Sequence, residues 1–298
     1  MKIAIVFERV REDTMGIYFE RALRSFGFTV DPYASQAAHA IPSGYDLYFR
    51  VDDNVYDASF PERLRPRILY VSDIHLKHVL KKILPMARGF DLVFTTMRRE
   101  MADLRRAGLR VAWLNVGCDP EVHERLDLPR IYDIGFVGTN GDSPRKFILQ
   151  ALAERYPKSY LAHAHFRDMC KIYSQSKIGF SYAIRDECFT MRNFEIMSSG
   201  AMLLQHRLRD DSAERLGYRN GKHLVVFKTM QELFERIDYY LVHDRERGAI
   251  AEAGFEFTRA AHTYRHSMRE VLDVANRELG CRFPLPEVAG YAAYSSRL

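Results

Sequence analysis

The 298-residue chain has one tryptophan, and its four cysteines (Cys118, Cys170, Cys188, Cys281) lie far apart with no C-x-x-C pair. Scattered thiols of this kind speak against a disulfide framework or a thiolate zinc site and fit a reducing compartment. No apolar run approaches the ~20 residues that cross a bilayer. The opening run Met1–Phe7 is shorter than a signal-peptide core, so no membrane span and a cytoplasmic location are expected. Low-complexity tracts and solenoid repeats are missing too. Charge of one sign is scarce: 44 lysines and arginines face 39 acidic residues, a net of +5, with a pI near 8.9. So small an excess suits phosphorylated or other anionic ligands and leaves nucleic acid a secondary expectation. What is present is a globular mix, 47% hydrophobic and 28% charged, sized for one large or two ordinary domains.

Short apolar, β-branched runs at Lys2–Phe7, Phe28–Val30, Leu47–Val51, Ile68–Val71, Leu92–Thr95 and Val111–Trp113 predict buried parallel strands. Helical spacing over Met15–Ser25, closed by Gly27, and over His75–Ala87 and Arg98–Ala107 supplies the intervening helices. A lapse around Asn115–Arg130, with Gly117, Pro120 and Pro129, marks a domain boundary. A second alternating set follows. Its strands are Ile134–Val137, Ile178–Ser181, Met202–Gln205 and His223–Phe227; its helices are Pro144–Arg155, Arg192–Ser199, Met230–His243 and a long one from Phe255 to Glu278. Strand–helix alternation of this kind predicts two doubly wound α/β halves, each with a ligand crevice at the carboxyl ends of its strands. The expected division is 1–118, 119–255, and a terminal helix and tail over 256–298.

Three segments carry candidate chemistry. In Asp133–Arg145 a strand runs into a loop with Gly138 and Gly141, and Ser143-Pro144 opens a helix. Glycine lets a backbone approach a ligand, and a helix N-terminus offers free N–H groups to an anion. Arg145 in that first turn opposes the helix dipole unless a phosphate neutralises it; the alternative is an ordinary βα loop with a surface arginine. The loop is neither a Walker motif nor a full G-x-G-x-x-G. In Glu187–Gly200 two glutamates bracket seven residues, and the second, Glu195, is read as opening a helix that ends at Gly200. Its carboxylate could accept two ribose hydroxyls and Arg192 could face a diphosphate, or the pair could simply cap and solvate a helix. In Ile68–His75 a strand runs into Asp73 and His75, which face the crevice as candidate bases or cap the next helix. Asp52-Asp53, ending another strand, either face an acceptor or solvate a loop.

The order of FVG with Arg145, then YSQSKIGF, FTMRNFEIMSSGAMLL and HTYRHSMREVL resembles the C-terminal half of the CgeB-like (spore maturation type) glycosyltransferases. These are related to the GT-B enzymes that carry two glutamates separated by seven residues. The Asn115–Asp119 run resembles their interdomain segment, and Val71-Ser72-Asp73 resembles a W-x-S-D stretch. The likeness spans about residues 70–275 and is strongest between Asp133 and Gly200.

The resemblance implies a GT-B fold, two Rossmann-like doubly wound domains facing across a cleft, with a nucleoside-diphosphate sugar held by the second. It implies that Glu195 holds the ribose and Glu187 lies near the donor sugar. Arg145, Lys177 and Arg192 are the diphosphate candidates, Gly138 gives the backbone room, and Tyr173 and Ser176 line the cleft or pack a helix face. It implies a final helix, with His262, Tyr264 and Arg269, crossing back to the first domain. The expected activity is transfer from a nucleoside-diphosphate sugar, foremost a UDP-sugar, to a hydroxyl acceptor, with Asp73 or His75 as base. No cofactor is expected: His163 and His165 read as surface or cleft residues and no Asp-x-Asp motif appears, so transfer is expected to be metal-independent. The alternatives are a nucleotide-sugar hydrolase or epimerase of the same fold, an idle nucleotide-binding scaffold, and a nucleic-acid-modifying transferase.

Overall fold

A computed structural model describes residues 1–9, 11–56, 60–141, 144–183 and 188–292. Contacts divide the chain into two compact units: Met1–Val116 with the segment from Tyr264 onward, and Gly117–Thr263.

The first unit contains β1 (Lys2–Val6), α1 (Met15–Ser25), β2 (Thr29–Tyr33), a 3-10 turn (Ser35–Ala40), β3 (Leu47–Val51), β4 (Arg67–Val71), α2 (Lys77–Ala87), β5 (Leu92–Thr95), α3 (Met101–Arg106) and β6 (Val111–Trp113). Its sheet is wholly parallel, in the order β2-β1-β3-β4-β5-β6. Both faces are covered, which is why β3, β4 and β5 are buried at every residue and read as continuous apolar runs. On the α1 face, Phe19 stacks on Phe49 with centroids 5.6 Å apart and meets Tyr70 edge-on at 5.2 Å.

The second unit contains β7 (Tyr132–Val137), α4 (Arg145–Arg155), β8 (Tyr160–Ala162), α5 (Phe166–Ser174), β9 (Ser176–Ser181), α6 (Met191–Ser198), β10 (Met202–His206), α7 (Ser212–Arg215), β11 (Val225–Phe227), α8 (Met230–Val242) and α9 (Asp244–Ala261). Its parallel sheet runs β11-β10-β9-β7-β8. The core between strands and helices is built from Ile134, Phe136, Ile178, Phe180, Leu204 and Phe227 against Leu149, Leu152, Leu233 and Ile237. The last helix, α10 (Tyr264–Leu279), belongs to the first unit, where Tyr264 stacks on Tyr18 at 4.7 Å.

The single helix expected over Phe255–Glu278 is therefore two helices, interrupted at His262-Thr263. The cause is tertiary. The His262 carbonyl accepts from the Cys118 amide at 2.9 Å, and Cys118 bridges to Thr263, so this stretch of backbone is drawn out of the helix into an extended contact. Gly117 makes room for it. A Cβ there would sit 2.6 Å from the His262 oxygen and the Thr263 carbonyl carbon, closer than real Cβ atoms come to backbone.

Other differences are smaller. Ser143 lies outside the described residues, and α4 starts at Arg145 with Pro144 as its cap. The helix expected over Arg98–Ala107 is the shorter α3. Three short elements, β8, α5 and α7, join the set that periodicity outlines. No helix among the described residues is long and apolar enough to cross a membrane. Gly117→Ala is expected to cost about 1–3 kcal/mol through this backbone overlap. It should lower the urea midpoint with an unchanged m-value, whereas an unshifted midpoint would show that the contact yields freely.

Candidate functional site

Polar side chains gather at the carboxyl end of β7 in the second unit. Phe136, fully buried, is the platform: the guanidinium of Arg192 lies 4.7 Å from its ring centroid and that of Arg145 5.8 Å. Arg192 Nε donates to the Val137 carbonyl at 3.0 Å. Arg145 donates through Nε and Nη2 to the Tyr182 carbonyl, at 3.0 and 2.8 Å, and through Nη1 to the Thr139 carbonyl at 3.3 Å. Those acceptors are neutral. Among the described residues no carboxylate pairs with either guanidinium.

Burial, and then the neighbouring Arg192, push the Arg145 guanidinium down to about 10, which still leaves it protonated at neutral pH. Two like charges held this close in a partly dry site repel each other, a repulsion that an anion between them would relieve. Gly138 is what permits the arrangement. Its φ of +153° suits glycine, and a Cβ would lie 2.5 Å from Arg192 Nη2, so the expected free space at this glycine is taken by the arginine.

Tyr173, on α5, is fully buried and its hydroxyl accepts from the Val137 amide at 3.2 Å. Burial raises its pKa, with Arg192 pulling down and Glu195 pushing up, which places both charges within electrostatic reach of that hydroxyl. Ser176 is likewise buried and donates to the Ile172 carbonyl at 2.7 Å. The structure thus gathers Gly138, Arg145, Tyr173, Arg192 and Glu195. Glu195 does not open α6, however: the helix starts at Met191 and has no acid in its first turn, so Glu195 stands in the second turn.

Lys177 does not join them. It sits at the amino end of β9 and pairs with Asp133, at 2.8 Å, near the start of β7. Parallel register puts that pair at the opposite edge of the sheet from Gly138. Glu187 falls outside the described residues.

A buried polar network that the sequence did not flag holds α6 in place. Asn193 Oδ1 accepts from Ser181 at 2.6 Å and from Thr190 at 3.2 Å, while its Nδ2 donates to Gln205 at 2.6 Å. Asn193 therefore ties the first turn of α6, which carries Arg192, to the carboxyl ends of β9 and β10. The signal was an asparagine beside the arginine in the first turn of a helix whose Phe194, Ile196 and Met197 are buried. Phe189 is a fully buried anchor stacked 4.8 Å from Tyr218 and edge-on to Phe194 at 4.9 Å.

The first unit has its own cluster, after β3 and β4. Asp73 is exposed, has a φ of +52°, and its carbonyl accepts from the Leu76 amide at 2.9 Å. His75 is half-buried two residues on. Asp52 accepts from the Ser72 amide and hydroxyl at 3.0 and 3.1 Å; burial raises its pKa, and the Ser72 bonds offset part of that rise. Asp53 is spent on structure, accepting from the Glu8 and Val55 amides at 2.9 and 3.0 Å and from the Ser35 hydroxyl. Among the described residues no group of three or more His, Cys, Asp or Glu side chains is arranged to hold a metal.

A family model described as glycosyl transferase-like matches residues 125–273. No curated protein sequence matches the chain. Among solved structures, an alpha-glucosyltransferase in complex with UDP and a 13-mer DNA containing an HMU base superposes with a TM-score of 0.68 at 12% identity, over 92% of this chain and 99% of that one. Anabaena HepE in complex with UDP gives 0.64 at 12% identity, over 93% and 100%. Sucrose-phosphate synthase from Thermosynechococcus elongatus gives 0.63 at 11% identity, over 94% and 100%. At these identities the likeness is one of fold: two parallel-sheet α/β units of the GT-B type.

Asn193→Ala is expected to cost about 2–3 kcal/mol, because Gln205 and Ser181 lose their partner in a buried setting. Urea unfolding of the purified variant reads this directly; a loss below about 0.5 kcal/mol would mean that water replaces the amide without penalty.

Proposed function

The chain belongs to the glycosyl transferase-like family, and from that premise we propose that it transfers a sugar from a nucleoside-diphosphate sugar to a hydroxyl acceptor. One observation carries the donor assignment: two guanidiniums, with no carboxylate pairing among the described residues, share the Phe136 face at the carboxyl end of β7. Planar guanidiniums match phosphate oxygens in pairs, and a diphosphate presents enough of them for both. UDP in the HepE and alpha-glucosyltransferase complexes favours a UDP-sugar as donor. The motif order from Phe136 to Gly200 favours a CgeB-like subtype within the family.

The chemistry then follows from charge. The bond between the anomeric carbon and the diphosphate oxygen breaks, and negative charge grows on the leaving diphosphate. Arg145, Arg192 and the positive end of the α6 dipole are fixed in advance to receive it. They supply the stabilisation that a divalent cation supplies in other transferases, so we assign a metal-independent mechanism. Glu195 accepts the ribose hydroxyls, and Tyr173 backs the β7 terminus so that Arg192 keeps its place. Asp73 or His75 takes the proton from the acceptor hydroxyl as the new glycosidic bond forms. Glu187 is assigned to the donor sugar on the family resemblance.

Thermal-shift titration tests the reading. UDP at a hundredfold excess over its Kd should stabilise the wild type by about 2.7 kcal/mol. Arg192→Ala and Glu195→Ala should each abolish most of that shift while Lys177→Ala retains it. An undiminished shift in Arg192→Ala would sink the diphosphate assignment. Turnover of the productive donor should survive EDTA, and complete loss on chelation would refute metal independence.

A further inference from the structure

The net charge of +5 is unevenly spread. Between β4 and β6, the surface of the first unit carries Lys77, Lys81 and Lys82 on α2, Arg88 just beyond it, Arg105 on α3 and Arg110 before β6, all exposed. Sheet order explains why they share a face. The β4-α2-β5 and β5-α3-β6 crossovers advance in the same direction across the sheet, so right-handed connection puts α2 and α3 side by side, opposite α1 and α10. Val79, Ile83 and Ala87 turn α2 inward. Lys77, Lys81 and Arg88 then form an outward stripe about 16 Å long at 1.5 Å per residue.

Three features make this more than a solvated helix. First, α2 has no acid in its first turn and starts with Lys77 and His78, so its cations oppose the helix dipole with no local compensation. Second, the nearby arginines are bonded to neutral groups: Arg105 donates to the Val111 carbonyl at 3.3 Å and Arg110 to the Glu278 carbonyl at 3.2 Å. Their charge stays available. Third, an open groove of about 680 Å³ adjoins the end of the stripe; Arg65 in it is paired with Asp91 and Glu278 also lines it, which leaves Arg88 and Arg110 as its available cations over Phe90 and Leu109.

We propose that the α2–α3 face of the first unit and its adjoining groove bind the phosphodiester backbone of duplex nucleic acid. A bilayer surface is the less fitting occupant. Among the described residues, none of the large exposed hydrophobics (Met1, Ile131, Phe147, Met230, Tyr239, Val242, Leu285) falls on this face, so it has nothing to insert between lipids. Spaced guanidinium and ammonium groups without aromatic or amide readers predict backbone contact without base selection. The surface stands apart from the donor chemistry and does not depend on it.

Fluorescence anisotropy of the full chain with a 20-base-pair duplex, between 50 and 200 mM salt, tests the proposal. Five or so phosphate contacts predict a log–log salt slope of about −4 to −5. The quadruple variant Lys77→Glu, Lys81→Glu, Arg88→Glu, Arg110→Glu should retain its melting temperature and lose at least about tenfold in affinity. Its slope should flatten by about 0.9 for each contact removed. A control on the second unit (Lys171→Glu, Lys222→Glu, Arg236→Glu) should keep the wild-type slope. The proposal is overturned by absence of duplex binding at 50 mM salt, by a slope the quadruple variant leaves unchanged, or by phosphatidylserine vesicles binding where the duplex does not. UDP stabilisation, measured on the same samples, reports separately on the donor site.

Discussion

Two guanidiniums lie over one phenylalanine ring, and among the described residues they donate to the carbonyl oxygens of Val137, Thr139 and Tyr182. In a protein interior such a pair is costly: burial disfavours each charge, and each disfavours the other, as the lowered pKa of Arg145 reflects. The arrangement persists because the surroundings over-determine it. Val137 and Tyr182 carbonyls fix the two forks, Gly138 vacates the space that a Cβ would fill, and Asn193 locks the helix that delivers Arg192. A preorganised positive site needs no reorganisation when a diphosphate arrives or leaves, and that is the condition under which electrostatic stabilisation accelerates bond cleavage.

The two units spend their polar groups differently. The second gathers cations at the carboxyl ends of its strands, while Asp133, on Lys177, and Asp238, on Tyr156, serve structure. The first gathers acids after β3 and β4, where Asp52 is half-buried and Asp73 is exposed.

Much of the fold was legible because parallel strands covered on both faces are nearly pure apolar runs: Leu47–Val51, Leu92–Thr95 and Val111–Trp113 coincide with β3, β5 and β6, and Met15–Ser25 with α1. What stayed hidden depends on distant partners. The break at His262 answers to Cys118, and nothing near His262 in sequence announces it. Lys177 was a diphosphate candidate through the family resemblance, yet it pairs with Asp133 near the amino ends of β9 and β7, the opposite end of the strands from Gly138. Arg145, Arg192 and Gly138 could be named in advance because a βα loop and a helix start have local signatures. Their convergence on Phe136 could not, since it requires knowing that β7 and β9 are neighbours.

Isothermal titration of the purified chain with UDP, UMP and uridine tests the central claim most directly, because the three ligands differ only in phosphate. Two charge-assisted contacts at about 1.5–3 kcal/mol each predict that affinity falls at least about hundredfold from UDP to uridine, with UMP between. Uridine binding as tightly as UDP would contradict the account, since the paired arginines would then have no part in holding the donor.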